Sequence, residues 1–316
     1  MSERYDIVIL GGGPAGLTAA LYACRGGMKT VVLEKTALGG QVLITDKIEN
    51  FPGFPQGVKG PELAEMIAKQ AVNFGIEVKP AEVKKISVLR EDMGGFLAEL
   101  SDDGKVEAIS IIVATGARWN ELGIPGEKKL AGRGVSYCAV CDGPLFKGRD
   151  VVVIGGGDTA LEDALFLAKF AKKVTIVHRR DRLRAAKILQ DRALAEKKIE
   201  FCFNSIASKI KGETRCEAIE IKDVSTGACR DLKAEGAFVL IGTTPNSDVV
   251  RDLVELDDKG CVICSDDMAT SMEGIFACGD VRKKTLRQVI TAAGDGATAA
   301  FSAQHYVERV KGIEYK

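Results

Sequence analysis

The chain opens on a strand-like run. Ile7-Val8-Ile9-Leu10 is continuously apolar and rich in β-branched residues, the pattern of a parallel strand buried on both faces. Gly11-Gly12-Gly13-Pro14-Ala15-Gly16 follows, then a helix of small residues to about Arg25, then a second apolar run at 30–33 that ends at Glu34. The same layout returns 144 residues later, with Val151 in place of Ile7. Residues 151–154 are the strand, Gly155-Gly156-Gly157-Asp158-Thr159-Ala160 the turn, 161–170 the helix and 174–177 the second strand. Two such copies at equal spacing predict an α/β chain with two Rossmann-like, three-layer dinucleotide-binding units.

The glycines have separable jobs. Gly11 and Gly155 permit the tight turn, Gly13 and Gly157 let the backbone approach a pyrophosphate, and Gly16 or Ala160 allows helix and strand to pack closely. The helix start adds free N–H groups and a positive dipole end for phosphates. A lone glycine fingerprint also fits a turn that merely packs tightly; two copies in full strand–turn–helix context predict nucleotide binding in each.

The copies diverge at the end of their second strands. Glu34 is able to accept hydrogen bonds from a ribose diol and repels a 2′-phosphate. The equivalent place in the second copy reads His178-Arg179-Arg180, with Arg184 one turn on. Guanidinium groups offer a 2′-phosphate bidentate, charge-assisted hydrogen bonds, so the second site is expected to prefer NADPH over NADH. The plainer alternative is a solvated basic face, since residues 169–198 hold eleven Lys or Arg against three acids.

Composition narrows the class. The 316 residues suffice for two domains, and 46% apolar with 28% charged content describes a globular protein. A net charge of zero gives no support for binding nucleic acid or a membrane surface. No apolar run approaches the roughly 18 residues that span a bilayer. The N-terminal MSERYDIVIL leads straight into a strand and does not read as a signal peptide. Nine scattered cysteines lack the density of a secreted disulfide scaffold. A cytoplasmic protein is expected, with any disulfide a working one.

That expectation directs attention to Cys138-Ala139-Val140-Cys141, followed at once by Asp142. Two thiols at this spacing close a small loop and exchange electrons reversibly, and the carboxyl is placed to move a proton as a thiolate forms or leaves. Half a zinc site and inert packing are the alternatives; no neighbouring Cys or His pair supplies the missing ligands, and no metal is expected. A second CxxC, Cys261 and Cys264, lies in a strand-like stretch after Asp257-Asp258-Lys259-Gly260 and is read as structural. Cys24, Cys202, Cys216, Cys229 and Cys278 read as buried or incidental, and His305 as a packing or surface residue on a C-terminal helix. Nicotinamide delivers hydride whereas a disulfide accepts electrons through thiolate chemistry, so an intermediary is implied, and FAD in the first site is the natural one.

Further motifs carry a resemblance. Gly39-Gly40-Gln41, Glu49-Asn50-Phe51-Pro52-Gly53, Ala114-Thr115-Gly116-Ala117, Gly242-Thr243-Thr244-Pro245-Asn246, Gly274-Ile275-Phe276-Ala277-Cys278-Gly279-Asp280 after Thr270-Ser271, and Arg287-Gln288 before Ala292-Ala293-Gly294-Asp295-Gly296 are jointly specific. With the dithiol and the two turns, they make nearly the whole chain resemble the low-molecular-weight thioredoxin reductases, FAD- and NAD(P)-dependent pyridine nucleotide-disulfide oxidoreductases. The resemblance implies an FAD domain from residues 1–118 and 245–316, interrupted by an NADPH domain at 119–244 that carries the dithiol. It implies FAD contacts from Gly11, Gly13, Pro14, Ala15, Gly16, Glu34, Lys35, Gly39, Gly40, Gln41, Asn50, Thr115 and Gly116, with Asp280 on the ribityl chain and Gly279, Val281, Arg287, Gln288 and Val289 near it. It implies NADPH contacts from Gly155, Gly157, Asp158, Thr159, Ala160, His178, Arg179, Arg180, Arg184 and Gly242.

The resemblance also assigns Cys141 to the flavin side, Cys138 to attack on the disulfide of thioredoxin, and Asp142 to the acid. It implies a homodimer and a hinge near Gly116 and Gly242 about which the dithiol and the nicotinamide alternate at the flavin. Val140 and Pro144-Leu145-Phe146 depart from the family's pattern; the latter replaces two aromatics and bears on partner docking. No fused dithiol or thioredoxin domain is expected at either end. Alternatives are the same chemistry on a glutaredoxin-like or peroxiredoxin-linked protein and, from another class, a flavin-based redox sensor.

Overall fold

A computed structural model describes residues 3–45, 48, 50–89 and 94–313; Glu49 of the flavin-loop motif lies outside the described residues. The chain divides into two units, Met1–Arg118 with Thr244–Lys316, and Trp119–Thr243. Both are built around parallel strands, the α/β class that the repeated pattern predicts.

In the first unit the sheet order is Glu77–Pro80, Thr30–Glu34, Glu3–Leu10, Lys105–Val113, Phe96–Leu100 and Val83–Val88, with Ile275–Ala277 also on Lys105–Val113. The first four and Ile275–Ala277 run parallel; Val83–Val88 and Phe96–Leu100 are an antiparallel addition. Alternation sends Ile7 and Ile9 to one face, against Leu17 and Ala20 of helix Pro14–Arg25 and Ala299 and Ala303 of helix Val289–Lys311. Val8 and Leu10 go to the other, among Phe96, Val254 and Val262. Burial on both faces is why this strand reads as unbroken apolar sequence. The two helices approach closely enough that a Cβ at Gly296 would collide with the Ala15 carbonyl.

The second unit repeats the scheme with a different outer layer. Ile199–Cys202, Lys173–Val177, Asp150–Ile154, Gly236–Val239 and Val135–Ser136 form a five-stranded parallel sheet. Val151 and Val153 face Leu161, Ala164 and Leu167 of helix Asp158–Ala168. Val152 and Ile154 face Ile210, Ile219 and Ile221 of an antiparallel sheet made of Ser205–Lys211, Ala218–Asp223 and Cys229–Lys233.

Two expectations need correction. The helix expected at 161–170 begins at Asp158 and ends at Ala168, because the glycine turn itself supplies the N-cap at Gly157 and the chain turns at Lys169. The stretch around Cys261 is not a regular strand; Val262 makes only isolated bridges, to Leu256 and Arg282.

Candidate active site

The first glycine turn is assembled from several segments of its unit. Gly11 sits at φ +104°, and a Cβ there would press on the Ala114 carbonyl and on Thr115. At Gly16 a Cβ would strike the Gly11 carbonyl, so the helix starts against the strand end only because this residue has no side chain. At Gly13 a Cβ meets nothing within 4 Å. The backbone is therefore bare toward open space at the position read as approaching a pyrophosphate. Glu34 closes the back of the turn: one carboxylate oxygen accepts from the Gly12 N–H at 2.7 Å, the other from the Thr36 N–H at 2.8 Å and its hydroxyl at 3.0 Å. Each oxygen keeps further acceptor capacity.

Other predicted residues gather here. Gly39 donates to the Gly12 carbonyl at 2.8 Å, and a Cβ at Gly40 would lie 3.2 Å from the Gly13 Cα. Gln41 donates to the Ala117 carbonyl. Thr115 bonds the Asn246 carbonyl at 2.6 Å, and Asn246 donates to the Gly116 carbonyl at 2.9 Å. The Asn50 amide donates to Gln288 at 2.9 Å, and Gln288 caps helix Val289–Lys311 through Thr291. Val289 packs with Val42, Val58 and Leu63. Gly279 lies over the turn: at φ +75°, its Cβ would meet that of Ala15 at 2.9 Å. Beside it, Asp280 is pushed toward its protonated form chiefly by burial, and its Oδ1 has no partner. Val281 is fully buried, and Arg287 donates to the Asp280 carbonyl at 3.5 Å. Lys35 turns aside to an exposed ion pair with Glu82.

The second turn has the same frame and a different floor. A Cβ at Gly155 would press on the Leu240 carbonyl, and Ala160 takes the place of Gly16. At Gly157 the nearest atom to a Cβ is Arg184 Nη2, 3.9 Å away. The Arg184 N–H donates to the Gly156 carbonyl at 2.8 Å, which carries this side chain to the turn. His178 does not join it at the surface. Its ring is buried directly beneath Gly156, its Nε2 lacks a partner, and burial followed by the nearby arginines holds it toward the neutral form. Arg179 and Arg180 are exposed. The Asp158 carboxylate accepts from the Ala186 N–H at 2.6 Å, and Thr159 stands in the first turn of the helix. Gly242, at φ +103°, accepts from the Asn120 N–H at 3.0 Å, so it belongs to the crossing rather than to the turn.

Cys138 and Cys141 form a disulfide, with Cα atoms 5.3 Å apart. Cys138 caps the short helix Ala139–Asp142, its sulfur accepting from the Cys141 N–H at 3.2 Å; Asp142 ends that helix. Groups that sequence reading missed hold the dithiol. Buried Ser136 accepts from the Cys138 N–H at 3.1 Å. Tyr137 stacks on Trp119 with ring centroids 5.4 Å apart and donates to Glu127 at 3.0 Å. Glu127, only 1% exposed, also receives the Leu122 and Gly123 N–H groups. The turn Gly143–Phe146 lies on helix Asp158–Ala168: a Cβ at Gly143 would meet Leu167 at 3.1 Å. From that helix Asp163 accepts from the Ala139 N–H, and burial pushes its carboxyl up to about 6. A signal for Asp163 existed: a carboxylate three residues after Ala160 and four before Leu167 shares their apolar face.

One helix thus serves both features of this unit. Its first residues follow the nucleotide turn, and its later ones carry the dithiol. By contrast Cys261 and Cys264 are free thiols, both pushed upward by burial. Cys261 is 3.5 Å from Arg287, and Cys264 is 3.9 Å from the Ala277 carbonyl. Among the described residues, no group of three or more His, Cys, Asp or Glu converges as a metal site, and no helix is long and apolar enough to cross a membrane.

This pairing of a disulfide with a nucleotide turn is matched over most of the chain, residues 5–296, by the model of the pyridine nucleotide-disulphide oxidoreductases. The chain belongs to that family. A thioredoxin reductase of Peptoclostridium acidaminophilum is 46% identical over 98% of both chains, and one of Bacillus subtilis (strain 168) is 43% identical over 98% of both. The crystal structure of thioredoxin reductase from Streptococcus pyogenes MGAS5005 superposes with a TM-score of 0.92 at 45% identity, covering 98% of this chain and all of the other. The resemblance stated from the motifs is therefore a family relationship, and the two-unit dinucleotide-binding fold is shared with it.

Proposed function

We propose that the protein is an NADPH-dependent flavoenzyme that reduces the disulfide of thioredoxin. The carrying observation is the Cys138–Cys141 disulfide mounted on the helix that begins at the second nucleotide turn, in a chain of this oxidoreductase family. FAD is assigned to residues 1–118 with 245–316, and NADPH to 119–244. Support for FAD comes from the bare Gly13 backbone, the diol-ready Glu34 and the buried, partnerless Asp280 Oδ1, which suits a hydroxyl donor. Support for NADPH comes from the open space at Gly157 with Arg184 at its edge.

FAD, when bound, supplies acceptance of a hydride and release of an electron pair to sulfur. The protein's own residues do the rest. In the reduced dithiol, Cys138 attacks one sulfur of the partner's disulfide, and the bond between the partner's sulfurs breaks. Asp142 gives its proton to the departing thiolate. Cys141 then attacks Cys138, which frees the partner's second thiol and restores the Cys138–Cys141 disulfide, so two electrons have moved. A homodimer and a cytoplasmic location belong to the same proposal; the zero net charge and scattered cysteines are compatible with them.

The test is Cys138→Ser in the holoprotein. Thioredoxin reduction is expected to vanish while NADPH still bleaches the flavin; continued thioredoxin turnover would overturn the assignment.

A further inference from the structure

Asp295 lies on helix Val289–Lys311, with its side chain 12% exposed. It is not needed for any step described above, yet its carboxylate is engaged by three donors. Its Oδ2 accepts from the Gly279 N–H at 3.1 Å and from Lys284 Nζ at 2.6 Å, and its Oδ1 accepts from Arg282 Nη1 at 3.1 Å. Lys284 and Arg282 are themselves only 8% and 13% exposed. A buried ion cluster of this kind is weak evidence for stability, because desolvation offsets the attraction. Its value lies in what it fixes.

Three segments meet at this carboxylate. Gly296, the next residue, seats the helix on the Ala15 carbonyl of the first glycine turn. Gly279, gripped by Asp295, rests on the Ala15 side chain. Asp280 follows Gly279 directly, with its Oδ1 buried and without a partner. A Gly279 N–H left to itself would allow the glycine to rotate, since glycine tolerates both signs of φ. Any such rotation redirects Asp280.

We propose that Asp295 is a positioning residue for the flavin site: braced by Arg282 and Lys284, its carboxylate holds the Gly279 N–H and so fixes the direction in which Asp280 meets the polyol chain of FAD. The inference rests on the FAD reading above. It assigns Asp295 no contact with FAD; its effect passes through Asp280.

Two paired variants of the full chain isolate the acceptor from the charge. Lys284→Met with Asp295→Asn, and Lys284→Met with Asp295→Leu, remove the same two charges, but only Asn keeps an oxygen for the Gly279 N–H. Each protein is stripped of FAD and retitrated, with the dissociation constant read from quenching of flavin fluorescence. The Leu pair is expected to bind FAD at least tenfold more weakly than the Asn pair. Adding Asp280→Ala is expected to collapse that difference to within twofold. Equal affinity of the two pairs, or a tenfold difference that survives Asp280→Ala, would overturn the proposal. For variants too weak to titrate, the rise in unfolding temperature on adding FAD ranks the pairs in the same order. A ligand that binds only the folded state stabilises it by RT ln(1 + c/Kd) at free concentration c, so the rise grows with the logarithm of affinity. A wild-type chain that takes up no FAD would refute the flavin reading itself, whereas a wild type that binds beside indistinguishable variants would refute only the role of Asp295.

Discussion

The two glycine turns share a frame and differ in what lies beneath it. Under the first, Glu34 receives the Gly12 N–H and ties the turn to the strand end. Under the second, the buried His178 ring fills the space below Gly156, and Arg184 reaches the rim. The third fingerprint position differs too. Gly16 is forced by the Gly11 carbonyl, while Ala160 is accommodated. The position facing open space, Gly13 or Gly157, is alike in both. Packing constraints are thus local to each turn, and the feature the copies share is the one that a bound phosphate needs.

The largest effect should come from the rim of the second turn. Replacing Arg180 and Arg184 together by Ala is expected to lower kcat/KM for NADPH by about 10²- to 10³-fold, from the loss of two charge-assisted hydrogen bonds at about 1.5–3 kcal/mol each, partly offset by solvent. Steady-state rates with NADH should change little. An equal loss with both cofactors would erase the distinction between the turns.

Next is the third fingerprint position. Gly16→Ala is expected to destabilise its unit by about 3 kcal/mol, since the added methyl would strike the Gly11 carbonyl. The reverse change, Ala160→Gly, should cost about 1–2 kcal/mol through helix entropy and the loss of one buried methyl. Urea unfolding of both variants compares them directly, and equal costs would mean that the two helix starts pack alike.

In each unit burial pushes a described carboxyl upward, Asp280 in the first and Asp163 in the second. For Asp163 the folded value of about 6 exceeds the ordinary carboxyl value, so between pH 4 and 6 the folded state binds more protons than the unfolded. Its stabilising contribution is complete below about pH 4 and lost as pH rises through about 6. At about 1.4 kcal/mol per pH unit the full loss is about 3 kcal/mol, and partial exposure of the side chain brings the expectation to about 2 kcal/mol. Asp163→Asn should therefore flatten the stability profile of this unit between pH 4 and 8, leaving the variant more stable at pH 8. Trp119, the chain's one tryptophan, lies in the same unit and reports its unfolding. An unchanged profile would place the pH dependence elsewhere.

The smallest effects test the shared feature. Gly13→Ala and Gly157→Ala put a methyl into open space at negative φ, so folding should be preserved. FAD affinity in the first variant and NADPH affinity in the second should each fall about tenfold, or about 1.4 kcal/mol, as the methyl holds a phosphate away from the N–H groups. Calorimetric titration reads both. A loss of stability instead would make these glycines packing residues.

Much of this was legible in the chain. Strands buried on both faces leave unbroken apolar runs, and a phosphate-binding turn leaves glycines at set offsets, so the two units, their turns and the dithiol follow from local pattern. A carboxylate against arginines at the same offset carried the cofactor distinction for the same reason: recognition chemistry written in residue type survives without coordinates. What the tertiary structure alone decided is who supports whom. His178 reads as a ligand beside its arginines but is buried under Gly156. Ser136, Glu127 and Asp163 hold the dithiol, and Asp295 grips Gly279; no motif announces these roles, and only the place of Asp163 on an apolar helix face hints at one. These partners lie 2 to 24 residues from the groups they serve and meet only when helix and turn are packed. Hydrogen bonds between distant segments depend on the path of the backbone, and no residue type or spacing encodes that path by itself.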